Sequence, residues 1–456
     1  MNIALVLAPS YNPNTPPLSL AYLKSYIQDK DVKVRCFDLN IDLYSRIDSK
    51  DKSLWNDIDA LSWVENNKFN SLRAGGDGII KEWVDKIMSF KPSVVGFSTY
   101  NTNHMFSAKL AEMIKKIDKD IFVIFGGPEI SMYKFNFEIE HLKFLDAIIL
   151  GEGEEAARKL VISIKENGFI APEPGTLVKI GGCFAGDGEC KLIDNMDSIP
   201  FPSYEDFDIS KYKEPGQLPL LFSRGCIGKC AFCFERVFWR KYRHRSCDNI
   251  IKEIENILAR YNRDIFNFAI NDSLINGDLR LLQEFCDAVI KKKLNIGWWG
   301  MARIDARMDK KYIKKMFEAS CRSLAFGVES GSQKVLDLMK KGYNLKDIET
   351  CIIDTKKAGI KVGISLLMGF PGEEEDDFKK TCGLVERLGQ YLSYVNISTL
   401  GIIPLTPIER DKFKLGINAD IKDSRDWSNL DGTNNLSVRL DRLNRLKRVV
   451  DKHVSA

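Results

Sequence analysis

The 456-residue chain is predicted to be α/β throughout. It should open with a doubly wound, Rossmann-like domain over 1–160, followed by a hairpin and linker over 161–217. A partial (β/α)6 TIM-like barrel over 218–410 and a short C-terminal helical cap over 411–456 complete it. Three observations predict this. Short apolar strands alternate with helical stretches in two separate series. A Gly- and Pro-rich interval divides the two series. Finally, RGCIGKCAFC at 224–233 sets Cys226, Cys230 and Cys233 directly after the first strand of the second series.

The first series runs NIALVLAP, KVRCFDLN, SVVGFSTY, FVIFGGPE and DAIILGEGE, with LSLAYLKSYIQD, SAKLAEMIKKI and EEAARKLVISIKENG as helical stretches among them. Strands separated by helices pair in parallel, and a doubly wound sheet binds ligands at the carboxyl ends of its strands. The loops STYNTN, GGPE and GEGE gather there. PEPGTLVKIGG, SIPFPS and KEPGQLP mark the hairpin and linker. The second series has six strands, LPLLFSRG, IFNFAIND, NIGWWGMAR, RSLAFGVES, IKVGISLLMGF and YVNISTLGII. Six such units make a partial barrel with its chemistry on the loops that follow the strands. In the tail, Leu436, Leu440, Leu443 and Val450 share a helical face among arginines, which predicts a packing helix with a solvated basic side.

A hydrophobic content of 44% and a charged content of 29% are those of a soluble globular protein. No run of about 18 apolar residues suggests a membrane span, and the start lacks the basic region and cleavage site of a signal peptide. A net charge of +4, spread along the chain, gives no electrostatic case for nucleic acid. Eleven cysteines without a secretion signal point to a reducing, cytoplasmic setting. The eight outside the triplet fall mostly in apolar patterns, where free cysteine packs as a small hydrophobe.

The triplet is spaced C-x3-C-x2-C with no fourth cysteine at a matching interval. A 4Fe–4S cluster normally takes four cysteines. Three would leave one iron open, and an open position marks a catalytic metal centre. Two alternatives stand beside this: a zinc site completed by His244 or Cys247, and three unrelated core thiols.

The spacing C-x3-C-x-aromatic-C, with Phe232 as the aromatic, resembles the signature of the radical S-adenosylmethionine (SAM) superfamily. SRGCIGKCAFC is similar to the start of that family's barrel, NDSLINGD to the segment after its second strand, FGVESGSQKVL to that after the fourth, and LLMGFPGE to its fifth-strand turn. The resemblance implies a 4Fe–4S cluster on Cys226, Cys230 and Cys233. It also implies SAM chelated to the open iron, and one-electron cleavage to a radical that takes hydrogen from an unactivated carbon. By the same resemblance Phe232, Asp272, Ser273, Arg303, Glu329, Ser330 and Gly369 belong to the SAM site. Asp272 or Ser273 would face the methionine amine, although the family's usual Gly-Gly-Glu is absent there. Arg303 would pair with the carboxylate, Glu329 and Ser330 would hold the ribose, and Gly369 would admit backbone to the adenine. An electron donor such as flavodoxin or ferredoxin is implied as a partner. Trp239, Tyr242, Trp298 and Trp299 are candidates for a substrate pocket, with plain core packing as the simpler role.

The first series resembles the cobalamin-binding domain found before some radical SAM barrels, on VVGFSTYNTN, FVIFGGPE and AIILGEGEEA. The D-x-H-x-x-G segment that would supply a cobalt ligand is replaced by APSYNPNTPPL, so the resemblance implies cobalamin bound without a protein histidine. It implies a tail pocket and corrin contacts from Ser98, Thr99, Tyr100, Asn101, Gly126, Gly127, Pro128, Glu129, Gly151, Glu152 and Gly153. His104 reads as a loop residue. Together these features resemble the cobalamin-binding-domain-containing radical SAM enzymes of the class B methyltransferase type. The implied activity is methylation of an unactivated carbon in a small molecule or natural-product intermediate. The alternatives are cyclisation, ring contraction or another rearrangement without methyl transfer, and a zinc-stabilised binding protein without turnover.

Overall fold

The structure, a computed structural model, describes residues 1–55, 63, 77–132, 143–261, 264–418 and 424–454. Parts of the expected cap, 419–423 and 455–456, lie outside the described residues. The chain forms two compact units, Met1–Pro219 and Leu220–Ala456.

In the first unit β1 (Asn2–Leu7), β2 (Lys33–Asp38), β3 (Val94–Ser98), β4 (Phe122–Gly126) and β5 (Ala147–Ile149) are joined in a seven-stranded sheet of order 2-1-3-4-5-6-7. Pairings β1–β2, β1–β3, β3–β4 and β4–β5 are parallel. Parallel strands carry helices on both faces and so read as continuous apolar runs; five of the six residues of β1 are buried. Beneath the sheet, Phe97 and Phe125 meet at 5.2 Å between ring centroids, and Trp83 is fully buried with its Nε1 on Asp42 at 2.7 Å. That indole shows the rule for buried polar atoms, which must find a partner. The hairpin β6 (Thr176–Ile180) and β7 (Cys183–Ala185) pairs antiparallel and extends the same sheet from β5. Since β2 and β3 lie on either side of β1, the chain reverses direction across the sheet there. The crevice at the carboxyl ends of β1 and β3 is the topological switch point.

β8 (Gln217–Leu220), which spans the boundary at Pro219, forms a six-stranded sheet of order 15-14-13-12-11-8 with five strands of the second unit, β11 (Asn267–Ile270), β12 (Gly297–Ala302), β13 (Cys321–Glu329), β14 (Lys361–Met368) and β15 (Tyr394–Thr399). Strands β11 to β15 pair parallel in succession. The helices between them start on side-chain caps that bind otherwise orphaned N–H groups. Ser246 caps Cys247–Arg260, Asp278 caps Leu279–Lys292, and Asn344 with Asp347 makes a capping box before Leu345–Lys357.

The tail helix, Leu436–His453, departs from its expected orientation. Its inward positions are Arg439, Arg442 and Leu446, while Leu440 is 44% exposed. The basic side faces the barrel because it finds acceptors there. Arg439 stacks over Trp427 at 4.0 Å, and Arg442 pairs with the buried Glu373 at 2.9 Å.

Candidate functional site

The cysteine loop is held between two short strands. β9 (Ser223–Arg224) pairs antiparallel with β10 (Arg243–His244), and Cys226, Cys230 and Cys233 lie in the half-buried turn between them. Gly225 begins the turn at φ +85, where a side chain would collide with the Lys241 carbonyl. The Gly228 N–H donates to Cys226 Sγ at 3.3 Å. A methyl group on Gly228 would sit 3.3 Å from Cys226 Sγ, 3.7 Å from Cys230 Sγ and 3.0 Å from an Arg303 nitrogen. The missing side chain therefore keeps clear the space that both sulfurs and the guanidinium border. Burial pushes the Cys226 thiol up, and it pushes the Cys233 thiol to about 12. A bound metal reverses that preference, since a cation favours the thiolate.

Among the described residues, no three His, Cys, Asp or Glu side chains are gathered around one point as ligands of a single ion. A cubic cluster makes no such demand, because each cysteine binds a different iron. The loop, with its glycine cradle and flanking cation, fits that group.

The other expected SAM residues fall into two sets. Phe232, Arg303 and Glu329 are half-buried and close to the loop. The Arg303 guanidinium lies 5.2 Å from the Tyr343 ring centroid. Its backbone is gripped on both sides by Asn276, which accepts from the Arg303 N–H at 2.9 Å and donates to its carbonyl at 2.8 Å. Glu329 ends β13 at φ 71, in the left-handed region, beside a shift in strand register.

Asp272, Ser330 and Gly369 are turned inward instead. Asp272 is 4% exposed and accepts from the Phe222 N–H at 2.8 Å and the Ser223 hydroxyl at 2.5 Å. Its carboxylate is spent on the strand that leads into the cysteine loop and does not face the cleft. Ser273 bonds Glu235, just past Cys233. Ser330 is fully buried, and its hydroxyl accepts from the Ser332 N–H at 3.1 Å. Gly369, at φ +85, leaves room for the Arg439 side chain and donates its N–H to Glu373 at 2.7 Å. Its lack of a side chain serves that arginine. Trp298 is core, with Nε1 on the Ala319 carbonyl at 2.7 Å, whereas Trp239, Tyr242 and Trp299 are half-buried.

In the first unit two of the expected cofactor residues, Tyr100 and Asn101, lie at the switch point. A cavity of about 490 Å³ opens there, lined by Ser10–Asn14 after β1 and by Tyr100–Thr102 after β3, with Trp55 and Lys213. The Tyr11 and Tyr100 rings meet at 4.8 Å on its wall. No histidine lines it among the described residues; His104 opens its own helix with Nδ1 3.0 Å from the exposed Asn101 carbonyl. Ser98 and Thr99 hold neighbouring loops. The Ser98 carbonyl accepts from Asn103 at 3.1 Å, and the Thr99 hydroxyl donates to the Gly126 carbonyl at 2.8 Å. Gly127, at φ +110, allows a close approach that a side chain would block at 2.6 Å from the Thr99 carbonyl.

Pro128 starts a five-residue helix, and Glu129 within it is 7% exposed. Burial raises the Glu129 carboxyl to about 7, and its Oε2 has no hydrogen-bond partner among the described residues. A buried acceptor left open beside these loops suits a ligand rich in amide N–H groups. Gly151 turns at φ +73 against Cys190, Glu152 accepts from the Ile193 N–H at 2.9 Å, and Gly153 caps the following helix. These three tie the linker to β5. Asn276 sits inside NDSLINGD but is one of several polar residues there. Lys341 lies in a Lys-Lys pair at a helix end, a pattern that usually faces solvent, so neither carries a sequence signal for its position.

The comparisons with known proteins agree with the two α/β architectures described above. A B12 binding domain matches residues 5–161 and the radical SAM superfamily matches residues 220–385. An uncharacterized methyltransferase of Pyrococcus horikoshii is 27% identical over 88% of this chain and 81% of its own. An anaerobic magnesium-protoporphyrin IX monomethyl ester cyclase of Rubrivivax gelatinosus is 24% identical over 65% of this chain, which spans 54% of that protein. The solved structure of TsrM from Kitasatospora setae, a radical S-adenosylmethionine methyltransferase with cobalamin and a [4Fe-4S] cluster bound, shares the fold. It gives a TM-score of 0.70 at 18% identity over 91% of this chain and 78% of that one. No helix among the described residues is long and apolar enough to cross a membrane.

Proposed function

We propose a methyl-transfer function for this chain, which belongs to the enzymes that join a B12-binding domain to a radical SAM domain: it methylates an unactivated carbon of a small molecule. The observation that carries this reading is the presence, in one chain, of a three-cysteine loop, which would leave one iron of a 4Fe–4S cluster without a protein ligand, and of a switch-point cavity that would take part of a cobalamin. When bound, the cluster and SAM supply one-electron chemistry and cobalamin supplies a transferable methyl group.

The chain's own residues bind and orient. Cys226, Cys230 and Cys233 hold the cluster, and Phe232 packs beside them. Arg303 offers a planar fork to the SAM carboxylate, steadied by Asn276. Glu329 reaches the ribose, while Asp272 and Ser273 fix the walls of the loop. In the first unit Tyr11 and Tyr100, on the wall of a cavity with no histidine among its described lining residues, would contact bound cobalamin, and Gly126, Gly127 and Glu129 would border its tail. An electron donor of the flavodoxin or ferredoxin kind completes the reaction.

The likeness to the cyclase favours a second reading, ring formation or rearrangement without methyl transfer. Anaerobic reconstitution with iron, sulfide and hydroxocobalamin, followed by mass spectrometry of turned-over SAM, decides between them. Methyl transfer yields S-adenosylhomocysteine together with a methylated product. Deoxyadenosine without S-adenosylhomocysteine sinks the first reading and supports the second.

A further inference from the structure

Two adjacent lysines end the helix Gln333–Leu338 and its turn, and they behave differently. Lys340 is exposed with a left-handed backbone at φ 60, whereas Lys341 is only 5% exposed. The turn is fastened to the cysteine loop, since the Ala231 N–H donates to the Met339 carbonyl at 3.0 Å. From there the Lys341 side chain runs inward. Its Nζ lies 5.8 Å from the Phe232 ring centroid and 5.6 Å from that of Tyr343, the ring that Arg303 also approaches. It ends on Glu329 Oε1 at 3.1 Å.

Its hydrogen-bond partners among the described residues are that carboxylate and the Tyr343 side chain. An ammonium has three N–H donors, so one remains unspent on a cation that is almost wholly withdrawn from solvent. Burial works against its charge, but Glu329, with Tyr343 and Cys230, outweighs burial and holds the ammonium more firmly protonated than a free lysine. The contrast with Arg439 is informative. That buried cation serves packing, and its two terminal nitrogens reach the Asn434 carbonyl and side chain and the carbonyls of Arg425 and Trp427. Lys341 has no such set of backbone acceptors. Its carboxylate partner is a residue in a strained conformation, at the end of a strand, next to the expected cofactor cleft.

We propose that Lys341 is a SAM-binding residue: it anchors Glu329 in its left-handed conformation and gives its remaining N–H donor to an oxygen atom of the SAM carboxylate or ribose. This rests on the reading that the cysteine loop and Arg303 belong to the SAM site.

Equilibrium dialysis of cluster-reconstituted protein tests it, with SAM and with 5′-methylthioadenosine, which keeps the ribose and lacks the amino acid. Lys341→Met should weaken SAM binding about tenfold or more at unchanged iron and sulfide content, and Lys341→Arg should retain most of the affinity. A parallel loss for methylthioadenosine assigns the donor to the ribose; an unchanged affinity for it assigns the donor to the carboxylate. Because Lys341→Met leaves Glu329 unpaired and could compromise folding, the same change is also made on a Glu329→Gln background. There a direct contact still costs affinity, whereas a lysine that serves only as the partner of Glu329 costs nothing further, and that result overturns the proposal. Wild-type protein that carries its cluster and binds no SAM overturns the underlying site instead, and is recognised before any variant is compared.

Discussion

Asp272 shows how one buried carboxyl can serve the cysteine loop without touching the chemistry. Burial raises it from 3.8 to about 7, against the opposing hydrogen bonds from Ser223 and Phe222. Between those values the native state keeps a proton that the unfolded chain has lost. Its contribution to stability is therefore complete below the lower value and fades as pH rises through the upper one. Asp272→Asn is neutral at every pH and can accept from the Phe222 N–H in the same place. Relative to its difference from wild type at pH 5, the variant should gain about 2–3 kcal/mol by pH 8. Urea denaturation at the two pH values checks this, and a pH-independent difference would refute it. The same residue marks a limit of sequence reasoning: its place after the second strand was legible, but its direction depended on Ser223, forty-nine positions away.

At the scale of elements, strands were legible where parallel pairing buries both faces. Whereas the edge run YVNIST is half-buried or exposed throughout, the runs NIALVL, VVGFS and KVGISLLM carry that pattern without help from distant residues. The tail helix did not, because periodicity counts leucines and cannot see acceptors. Arg442 faces inward for Glu373, sixty-nine residues earlier, with both side chains almost fully buried at 6% and 0% exposure. Removing one partner of such a pair leaves a buried charge alone, so Arg442→Met should cost about 3 kcal/mol, and adding Glu373→Gln should return much of it. Chemical denaturation of the single and double variants measures both. If the single change is silent, the pair does not hold the Gly369–Glu373 turn. The cysteine loop was readable because its three thiols fall within one stretch of eight residues, 226–233. Lys341 and Asn276 were not, since each acts through a residue brought near by the barrel.

At the scale of the whole molecule, two compact units each carry their own candidate site, so the two cofactors should load separately. The triple change Cys226→Ala, Cys230→Ala and Cys233→Ala should abolish iron and sulfide uptake yet leave hydroxocobalamin binding intact. Gly127→Ala, strained by its φ of +110 and by the Thr99 carbonyl, should weaken cobalamin binding while iron content stays at the wild-type level. Absorption spectra with iron and cobalt analysis read both outcomes, and joint loss of the two cofactors in either variant would contradict separate loading. The partnership of Glu373 with Arg442 also bears on how the protein is made. A ribosome delivers the Gly369–Glu373 turn well before it delivers the arginines that face it. The nascent barrel thus emerges with that corner unbraced, and proteases or chaperones would meet it in that state until translation has passed the tail helix.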